Sequence, residues 1–330
     1  MNGLINVLKP PGLTSHDVVA VLRRLFGIKR IGHTGTLDPG AVGVLPICVG
    51  QGTRVVEYMI NKPKKYRAEF TFGIRTDTYD AGGKIVDRTP DAKLEPSVVN
   101  DVLQEFKGEI KQVPPMVSAI RYQGKRLYQL AREGKEIERK ARRVHIYDIK
   151  LLRFQNDLKY PRLLCDLECS KGTYVRSICA QLGDKLGCGA YLSFLVRTVS
   201  GNFLLQDALT LEEVQGMWER EDLSFLLPID SALEDMPAFT VKEKAVPPIL
   251  NGLPLAPSGI LGGIGNNTMP VLVRLYSPDG KLLSQQILLY SCRGMVLQAE
   301  KSVLSAPIIL LISNIKIISI IRRGKLDEQL

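Results

Sequence analysis

The sequence predicts an α/β (α+β) catalytic domain with a mixed, largely antiparallel sheet over residues 1–236, followed by a small β-rich domain over residues 237–304. In the first part, strand-like segments alternate with short amphipathic helices. No βαβ repeat carries a dinucleotide glycine fingerprint, which disfavours a doubly wound cofactor domain. From about residue 237 the pattern changes to short strands separated by turn signals such as Pro278-Asp279-Gly280.

The elements of the first domain follow from local patterns. A capping-box start at Thr14 and a stop at Gly27 predict a helix over 15–26. Strict alternation over 66–72 predicts a strand that presents Tyr66 on the same face as Phe70. Further patterns predict helices near 96–107, 127–131, 175–186 and from 210, and strands near 144–152, 162–169 and 190–203.

The glycine-rich stretch of residues 30–50 carries one carboxylate, Asp38, directly before Pro39. Proline biases the residue before it toward extended backbone, so the side chain is presented and not packed. An Asp beside Pro and Gly is most often an ordinary turn residue. The length of the surrounding motif argues for chemistry instead.

Three spaced motifs carry a family resemblance. The segment Gly32-His33-Thr34-Gly35-Thr36-Leu37-Asp38-Pro39-Gly40-Ala41-Val42-Gly43-Val44-Leu45 resembles the signature of the TruB family of tRNA pseudouridine synthases. Residues 8–15, Leu-Lys-Pro-Pro-Gly-Leu-Thr-Ser, resemble that family's opening motif, and residues 170–176, Ser-Lys-Gly-Thr-Tyr-Val-Arg, its third. The resemblance implies the pseudouridine synthase fold and a PUA-like RNA-binding domain at the C-terminus.

The resemblance also implies roles for particular residues. The helix dipole disfavours a cation such as Arg176 in the first turn of a helix, so either Asp38 offsets that penalty and is held ionised by Arg176, or the arginine is merely exposed. The resemblance itself carries catalysis onto Asp38. It implies that Tyr66 stacks on an extruded uracil, that Leu195 closes its apolar side and that Tyr174 lines the pocket. His33 is expected to fill space in the tRNA T-loop. Without the resemblance, Tyr66 and Leu195 are plain core residues and His33 is a loop histidine.

The charge distribution suggests a polyanionic partner, with nucleic acid as the first guess; the alternatives are an anionic membrane surface or merely a basic cytosolic protein. The net charge is +10, and residues 1–65 hold nine Lys or Arg against three acids, as do residues 121–143. The expected phosphate contacts are Lys62, Lys64, Lys65 and Lys9, the last equally readable as a solvated loop lysine. Residues 109–143 are expected to be an RNA-gripping insertion or, alternatively, a surface loop and helix. The expected partner is the T-arm of tRNA, bound by a monomer.

Several features argue against other classes. No Cys-x-x-Cys pair occurs and the chain has three histidines, so no metal and no cofactor is expected. Asp77 and Asp80 together suggest Mg²⁺, but turn chemistry explains them better. No signal peptide opens the chain, which predicts a cytoplasmic protein. The aliphatic and basic tail of residues 305–330 is too interrupted for a membrane span and has no assigned role.

The preferred function is isomerisation of uridine to pseudouridine at position 55 of tRNA, as the resemblance implies. Two alternatives remain: a pseudouridine synthase that depends on a guide RNA, and a non-catalytic protein that binds or folds tRNA.

Overall fold

A computed structural model describes residues 1–251, 253, 255, 257–262, 271–291 and 294–301. The predicted tail at 305–330 lies outside the described residues. The described chain divides into two compact units, one ending at Leu233 and the other beginning at Glu234. The predicted boundary at residue 236 lies close to this division.

The elements of the first unit are the following. Its strands are β1 (Gly3–Lys9), β2 (Ile31–His33), β3 (Val42–Val49), β4 (Lys64–Phe72), β5 (Ile74–Thr76), β6 (Ile85–Arg88), β7 (Gly108–Gln112), β8 (Arg121–Tyr122), β9 (Lys125–Arg126), β10 (Arg142–Gln155), β11 (Arg162–Cys169), β12 (Ala190–Ser200) and β13 (Phe203–Leu204). Its α-helices are α1 (Ser15–Phe26), α2 (Val56–Ile60), α3 (Pro96–Gln104), α4 (Leu127–Arg132), α5 (Val175–Lys185) and α6 (Leu211–Glu219), with short 3-10 helices at Gly50–Val55, Leu205–Asp207 and Ile229–Leu233.

The main sheet has the strand order β1-β3-β12-β4-β11-β10-β7, with β2 paired to β3 and β13 to β12. Neighbouring strands are antiparallel except β12 and β3, which run parallel. The predicted mixed, largely antiparallel sheet is therefore confirmed. Strand β12 lies between β3 and β4, so the apolar run predicted as a central strand is central.

Helix α1 shows how closely local chemistry sets an element. Thr14 Oγ1 accepts from the backbone N–H of Asp17 at 3.1 Å, and an Asp17 carboxylate oxygen accepts from the N–H of Thr14 at 2.8 Å. Gly27 ends the helix with a φ of 66°, which glycine adopts without steric cost. The buried side of α1 packs, with α6, over β1 and β3.

A second core lies where α3 and α5 cover the centre of the sheet. Phe70 and Phe72 of β4, Cys165 of β11 and Ile178 of α5 are fully buried there. Tyr66, on the same face of β4, packs at the margin of this core. The face of β4 that buries Phe70 in the core therefore also places Tyr66 in the wall of the pocket described below.

The insertion is narrower than predicted. Residues 108–112 form β7 and pair with the start of β10, so they belong to the main sheet. The segment that leaves the sheet is residues 113–141, called the insertion below. It contains the β8–β9 hairpin and α4.

The second unit contains β14 (Ala238–Val241), β15 (Ile260–Gly262), β16 (Val271–Tyr276), β17 (Leu282–Ser291) and β18 (Gly294–Lys301), α7 (Val246–Leu250), and 3-10 turns at Glu243–Ala245 and Pro257–Gly259. In the described residues the strands form one sheet in the order β15-β14-β16-β17-β18. Phe239, Val273 and Leu275 are buried in its own core. This is the small β-rich unit expected after the catalytic domain; its PUA-like role stays a prediction.

Candidate active site

The site is a pocket of about 240 Å³ at the end of the α5 helix. The loop between β2 and β3, residues 34–41, supplies Asp38 and is called the signature loop below. Tyr66 comes from β4, Tyr174 and Arg176 from the start of α5, and Leu195 from β12; all of them line the pocket. The five residues that the sequence predicted for a single pocket therefore come together from four separate segments of the chain.

An ion pair lies at the centre of this pocket. Arg176 Nη2 donates to Asp38 Oδ1 at 3.0 Å, and Nε lies 2.9 Å from Oδ2, without the alignment of a hydrogen bond. The Arg176 side chain is 3% exposed, whereas that of Asp38 is 37% exposed. The arginine is thus part of the pocket wall, and the carboxylate faces the open space.

Three further groups hold the guanidinium of Arg176. Nη1 lies 3.2 Å from Asp80 Oδ2 and donates to the carbonyl of Thr78 at 3.2 Å. Nη2 also donates to the carbonyl of Val117 at 2.9 Å. A cation in the first turn of a helix is disfavoured by the helix dipole, and two carboxylates offset that penalty here. The pairing of Arg176 with Asp38, one of two readings from the sequence, is present in the structure.

The ionisation of Asp38 reflects opposing effects. Desolvation by burial raises the pKa of Asp38 above its ordinary value, and the nearby charge of Asp80 adds to the rise. Arg176 and Lys9 oppose it. Arg176 therefore favours the ionised carboxylate, as expected, but does not bring the pKa below the ordinary range.

Residues of the opening motif, 8–15, hold the signature loop in place through hydrogen bonds. Lys9 Nζ donates to the carbonyls of Pro10, Leu13 and Pro39, at 2.8, 2.6 and 3.2 Å. Ser15 Oγ accepts from the N–H of Leu37 at 2.8 Å. The residues on both sides of Asp38 are thereby tied to the start of the chain.

These contacts correct two predictions of phosphate contacts. Lys9 is fully buried, and Lys64 is 5% exposed with its ammonium donating to the carbonyls of Ile60 and Lys62, both at 2.6 Å. Burial lowers the pKa of each lysine to about 8. Both ammonium groups are occupied by backbone carbonyls, because each lysine points inward from its strand and not into solvent.

The other two predicted lysines differ from these. Lys65 has a 52% exposed side chain and pairs with Glu168 at 3.1 Å. Lys62 is half-buried and donates to the carbonyl of Ala232 at 2.7 Å and to Asn202 at 3.3 Å. Both keep their place as predicted phosphate contacts.

His33 lies in β2, paired with Ile47 of β3, and is not part of the pocket wall. Burial lowers its pKa, with Arg197 and Arg126 acting in the same direction. The imidazole is therefore neutral at pH 7. Its predicted contact with a T-loop stays a prediction.

Sequence reasoning missed two residues of this site. Asp80 was assigned to a turn, and Thr78 Oγ1 does donate to its Oδ1 at 2.6 Å, but the other oxygen faces Arg176. Arg197 is buried beside Tyr66 and was given no role. A charged residue within an apolar central strand was the available signal for Arg197.

Within the described residues no cluster of three or more His, Cys, Asp and Glu side chains could hold a metal ion. No described helix is long and apolar enough to cross a membrane.

Comparison with known proteins agrees with this geometry. Residues 23–175 match the family described as "TruB family pseudouridylate synthase (N terminal domain)", and residues 176–234 match "tRNA pseudouridylate synthase B C-terminal domain". The tRNA pseudouridine synthase B of Moorella thermoacetica is 46% identical over 302 residues, covering 92% of this chain and 99% of that protein. The chain belongs to the TruB family.

Other members extend the comparison. The tRNA pseudouridine synthase B of Symbiobacterium thermophilum is 51% identical over 253 residues, 77% of this chain and 83% of that protein. Among solved structures, an H/ACA RNP bound to a substrate RNA containing 2'-deoxyuridine has a TM-score of 0.70 at 26% identity, covering 91% of this chain and 84% of that one. A Cbf5-Nop10-Gar1 complex has a TM-score of 0.70 at 27% identity and the same coverage. This TruB-family chain is thus a pseudouridine synthase, an isomerase, as the sequence predicted.

Proposed function

We propose that this TruB-family enzyme isomerises the uridine at position 55 in the T-loop of tRNA, with Asp38 as a covalent nucleophile. The substrate class is supported by relatives at 46% and 51% identity that are named tRNA pseudouridine synthase B. The observation that carries the role of Asp38 is its ion pair with Arg176 in the wall of the pocket.

The reaction breaks the bond between N1 and C1′ and joins C1′ to C5, while a proton leaves C5 and another reaches N1. A carboxylate can form a covalent intermediate that divides one difficult step into two. Attack on C1′, attack on C6 and removal of a sugar proton all use one ionised carboxylate beside the base. Asp38 is held in that state and orientation by Arg176.

The rest of the pocket suits an extruded base. An enzyme that acts on a base in folded RNA takes it out of the stack and holds it against aromatic or apolar side chains. Tyr66 offers the aromatic plate, Leu195 an apolar wall at 8% exposure, and Tyr174 a second ring at the start of α5. Lys62 and Lys65 are the proposed phosphate contacts of this chain.

A guide-RNA-dependent activity is the second candidate, because the match to the H/ACA RNP structure covers 91% of this chain. The two candidates differ in what a pure chain can do. A synthase that acts on tRNA by itself modifies an unmodified tRNA transcript without any guide or partner protein. A guide-dependent enzyme does not.

The test combines mapping of pseudouridine with two variants of the carboxylate. The wild-type chain is incubated with an unmodified tRNA and with the same tRNA carrying C in place of U at position 55. Asp38→Asn and Asp38→Glu are expected to abolish turnover while tRNA binding survives. Asp166→Asn is the matched control, because Asp166 pairs with Arg67 on the exposed face of the sheet and its loss is expected to leave turnover unchanged.

Appreciable turnover by Asp38→Asn would contradict the role of the carboxylate. Pseudouridine elsewhere than position 55 would contradict the assigned site. If the wild-type chain modifies none of several tRNAs, the result would favour a guide-dependent enzyme or a non-catalytic tRNA-binding protein over the proposed function.

A further inference from the structure

Arg197 is a buried cation that the chemistry above does not use. It lies in β12, the central strand of the main sheet, and is 1% exposed. Within the described part of the chain no carboxylate pairs with it. Burying an uncompensated guanidinium costs free energy, so its retention at this position requires a reason.

The hydrogen bonds of Arg197 connect both ends of the signature loop. Nε donates to the carbonyl of Val44 at 2.7 Å, just after the loop, and Nη2 donates to the carbonyl of Gly35 at 3.1 Å, at its start. Gly43 lies against the Arg197 backbone, where an added Cβ would come within 2.3 Å of the Arg197 carbonyl oxygen. The loop that carries Asp38 is therefore seated directly on Arg197.

The third neighbour of Arg197 is Tyr66. The two residues stand opposite each other in the register between β12 and β4, where side chains on one face are in contact, and both line the pocket. Burial raises the pKa of the Tyr66 hydroxyl, and the charge of the nearby Arg197 is the strongest effect that opposes this rise. One cation thus contacts the aromatic plate and the loop of the nucleophile together.

We propose that Arg197 is a positioning residue that acts through Tyr66: it fixes the ring beside Asp38 and turns the phenolic proton toward the substrate. The proposal deepens the function proposed above and rests on it. We assign the Tyr66 oxygen as the acceptor of an Arg197 N–H, because a guanidinium can only donate, and this assignment leaves the O–H of Tyr66 for the pocket.

The arrangement suits the charge that develops on the base. Breaking the bond from N1 to C1′ leaves the electron pair on the uracil, and a donor aimed at the ring system stabilises that charge. Burial leaves the pKa of Tyr66 above its ordinary value, and the positive charge of Arg197 limits that rise, so the hydroxyl is a stronger donor with Arg197 than without it. The alternative is a purely structural role for Arg197, in which the loss of rate on removing Arg197 does not depend on the hydroxyl of Tyr66.

A double-mutant cycle separates the two alternatives. Arg197→Met removes the charge and all donors at similar length, and Tyr66→Phe removes the hydroxyl and keeps the ring. Each is expected to lower the single-turnover rate on tRNA by about 100-fold or more, in the range found for removal of one preorganised donor. The double variant is expected to match the slower single variant, with tRNA affinity within about twofold of wild type.

A second measurement needs no activity. With 3-fluorotyrosine at position 66, whose phenol is more acidic, the ¹⁹F resonance is followed against pH in the protein without RNA. Arg197→Met is expected to move this titration to higher pH. Arg67→Met is the matched control, since Arg67 lies on the neighbouring strand with its side chain exposed and is expected to change neither the titration nor the rate.

Any one of four results would overturn the proposal. These are losses of rate that multiply in the double variant, a wild-type rate for Arg197→Met, a loss confined to tRNA affinity, and a ¹⁹F titration that Arg197→Met does not move. If Arg197→Met does not fold, Arg197→Lys, which keeps the charge, enters the same cycle and is expected to restore part of the rate. An inactive wild-type chain would count against the proposed function, while the ¹⁹F titration would still decide the link between Arg197 and Tyr66.

Discussion

The signature loop and the insertion both reach the pocket, but they are held in opposite ways. The loop of residues 34–41 is fixed by buried side chains from distant segments: Lys9, Ser15, Arg176 and Arg197 all bond it. The insertion of residues 113–141 is held mostly by its own backbone, with the N–H of Leu127 donating to Ile120 and that of Tyr128 to Ser118.

Charge follows the same division. Lys9 and Arg197 are buried and donate hydrogen bonds to carbonyls of the signature loop. In the insertion, the cations whose side chains the structure describes are exposed or pair with nearby acids, as Lys125 does with Glu133. Val117 and Ser118 are where the insertion meets the pocket. The comparison teaches that buried contacts from distant segments are concentrated around the proposed catalytic carboxylate, whereas the segment proposed to grip RNA is held by few of them.

The largest effect after loss of Asp38 itself is expected for Arg176→Lys. Lysine keeps the charge but replaces a planar fork that meets two carboxylates and two carbonyls. Turnover is expected to fall by about 100-fold or more while tRNA affinity changes little. Single-turnover rates and a binding assay check this, and a near wild-type rate would show that charge alone suffices.

Lys9→Met is expected to act mainly on stability. It leaves three partly buried carbonyls without this donor; a buried group without a partner costs about 1–3 kcal/mol, and less where water reaches it. The unfolding free energy is expected to fall by about 2–4 kcal/mol in denaturant titrations. Lys65→Met is the matched control, because an exposed ion pair contributes about 0–1 kcal/mol. Equal losses in the two variants would refute the structural role of Lys9.

Lys9 also shows where sequence reasoning stops. The capping box of α1, the alternation of β4 and the apolar stripe of α5 are local, and the elements formed as predicted. Whether a lysine at a strand end points inward depends on which carbonyls the fold brings near it. For Lys9 one of these belongs to Pro39, thirty residues away.

The same limit separates the parts of the site. Three of the site residues lie in motifs and could be named from them: Asp38, Tyr174 and Arg176. Tyr66 and Leu195 lie outside these motifs, and only the family resemblance pointed to them. Asp80 could not, because its turn chemistry is real and explains one carboxylate oxygen while concealing the second. The second role of Asp80 depends on Arg176, which lies 96 positions further along the chain and is brought beside it only by the fold.

Asp80→Asn tests the electrostatics of the pocket with a definite sign. The charge of Asp80 raises the pKa of Asp38, so its removal lowers that pKa. Activity needs the ionised carboxylate and is lost as pH falls through its pKa; the acidic limb of kcat/KM is therefore expected to move to lower pH. Turnover at neutral pH is expected to drop about tenfold, because Arg176 loses one of its two carboxylates.

The control for this pH dependence is Asp166→Asn, which is expected to leave the acidic limb where wild type has it. A limb that moves to higher pH in Asp80→Asn would contradict the assignment of Asp38 as the titrating group.

The smallest effect is expected in the insertion, and it is one of affinity. Arg121, Arg126 and Lys140 are exposed there, and neutralising all three to Gln removes up to three phosphate contacts. The slope of log affinity for tRNA against log salt is expected to become shallower by about 0.7–0.9 for each phosphate that is no longer neutralised, with affinity lowered and the single-turnover rate at saturating enzyme unchanged. Neutralising Lys107, which lies outside the insertion and pairs with Asp148 of β10, is the control and is expected to leave the slope unaltered. The insertion contacts the pair of Asp38 and Arg176 through the carbonyl of Val117. If the single-turnover rate falls along with the affinity, the charges of the insertion position Arg176 as well as the RNA. The contrast drawn above between the signature loop and the insertion would then be wrong.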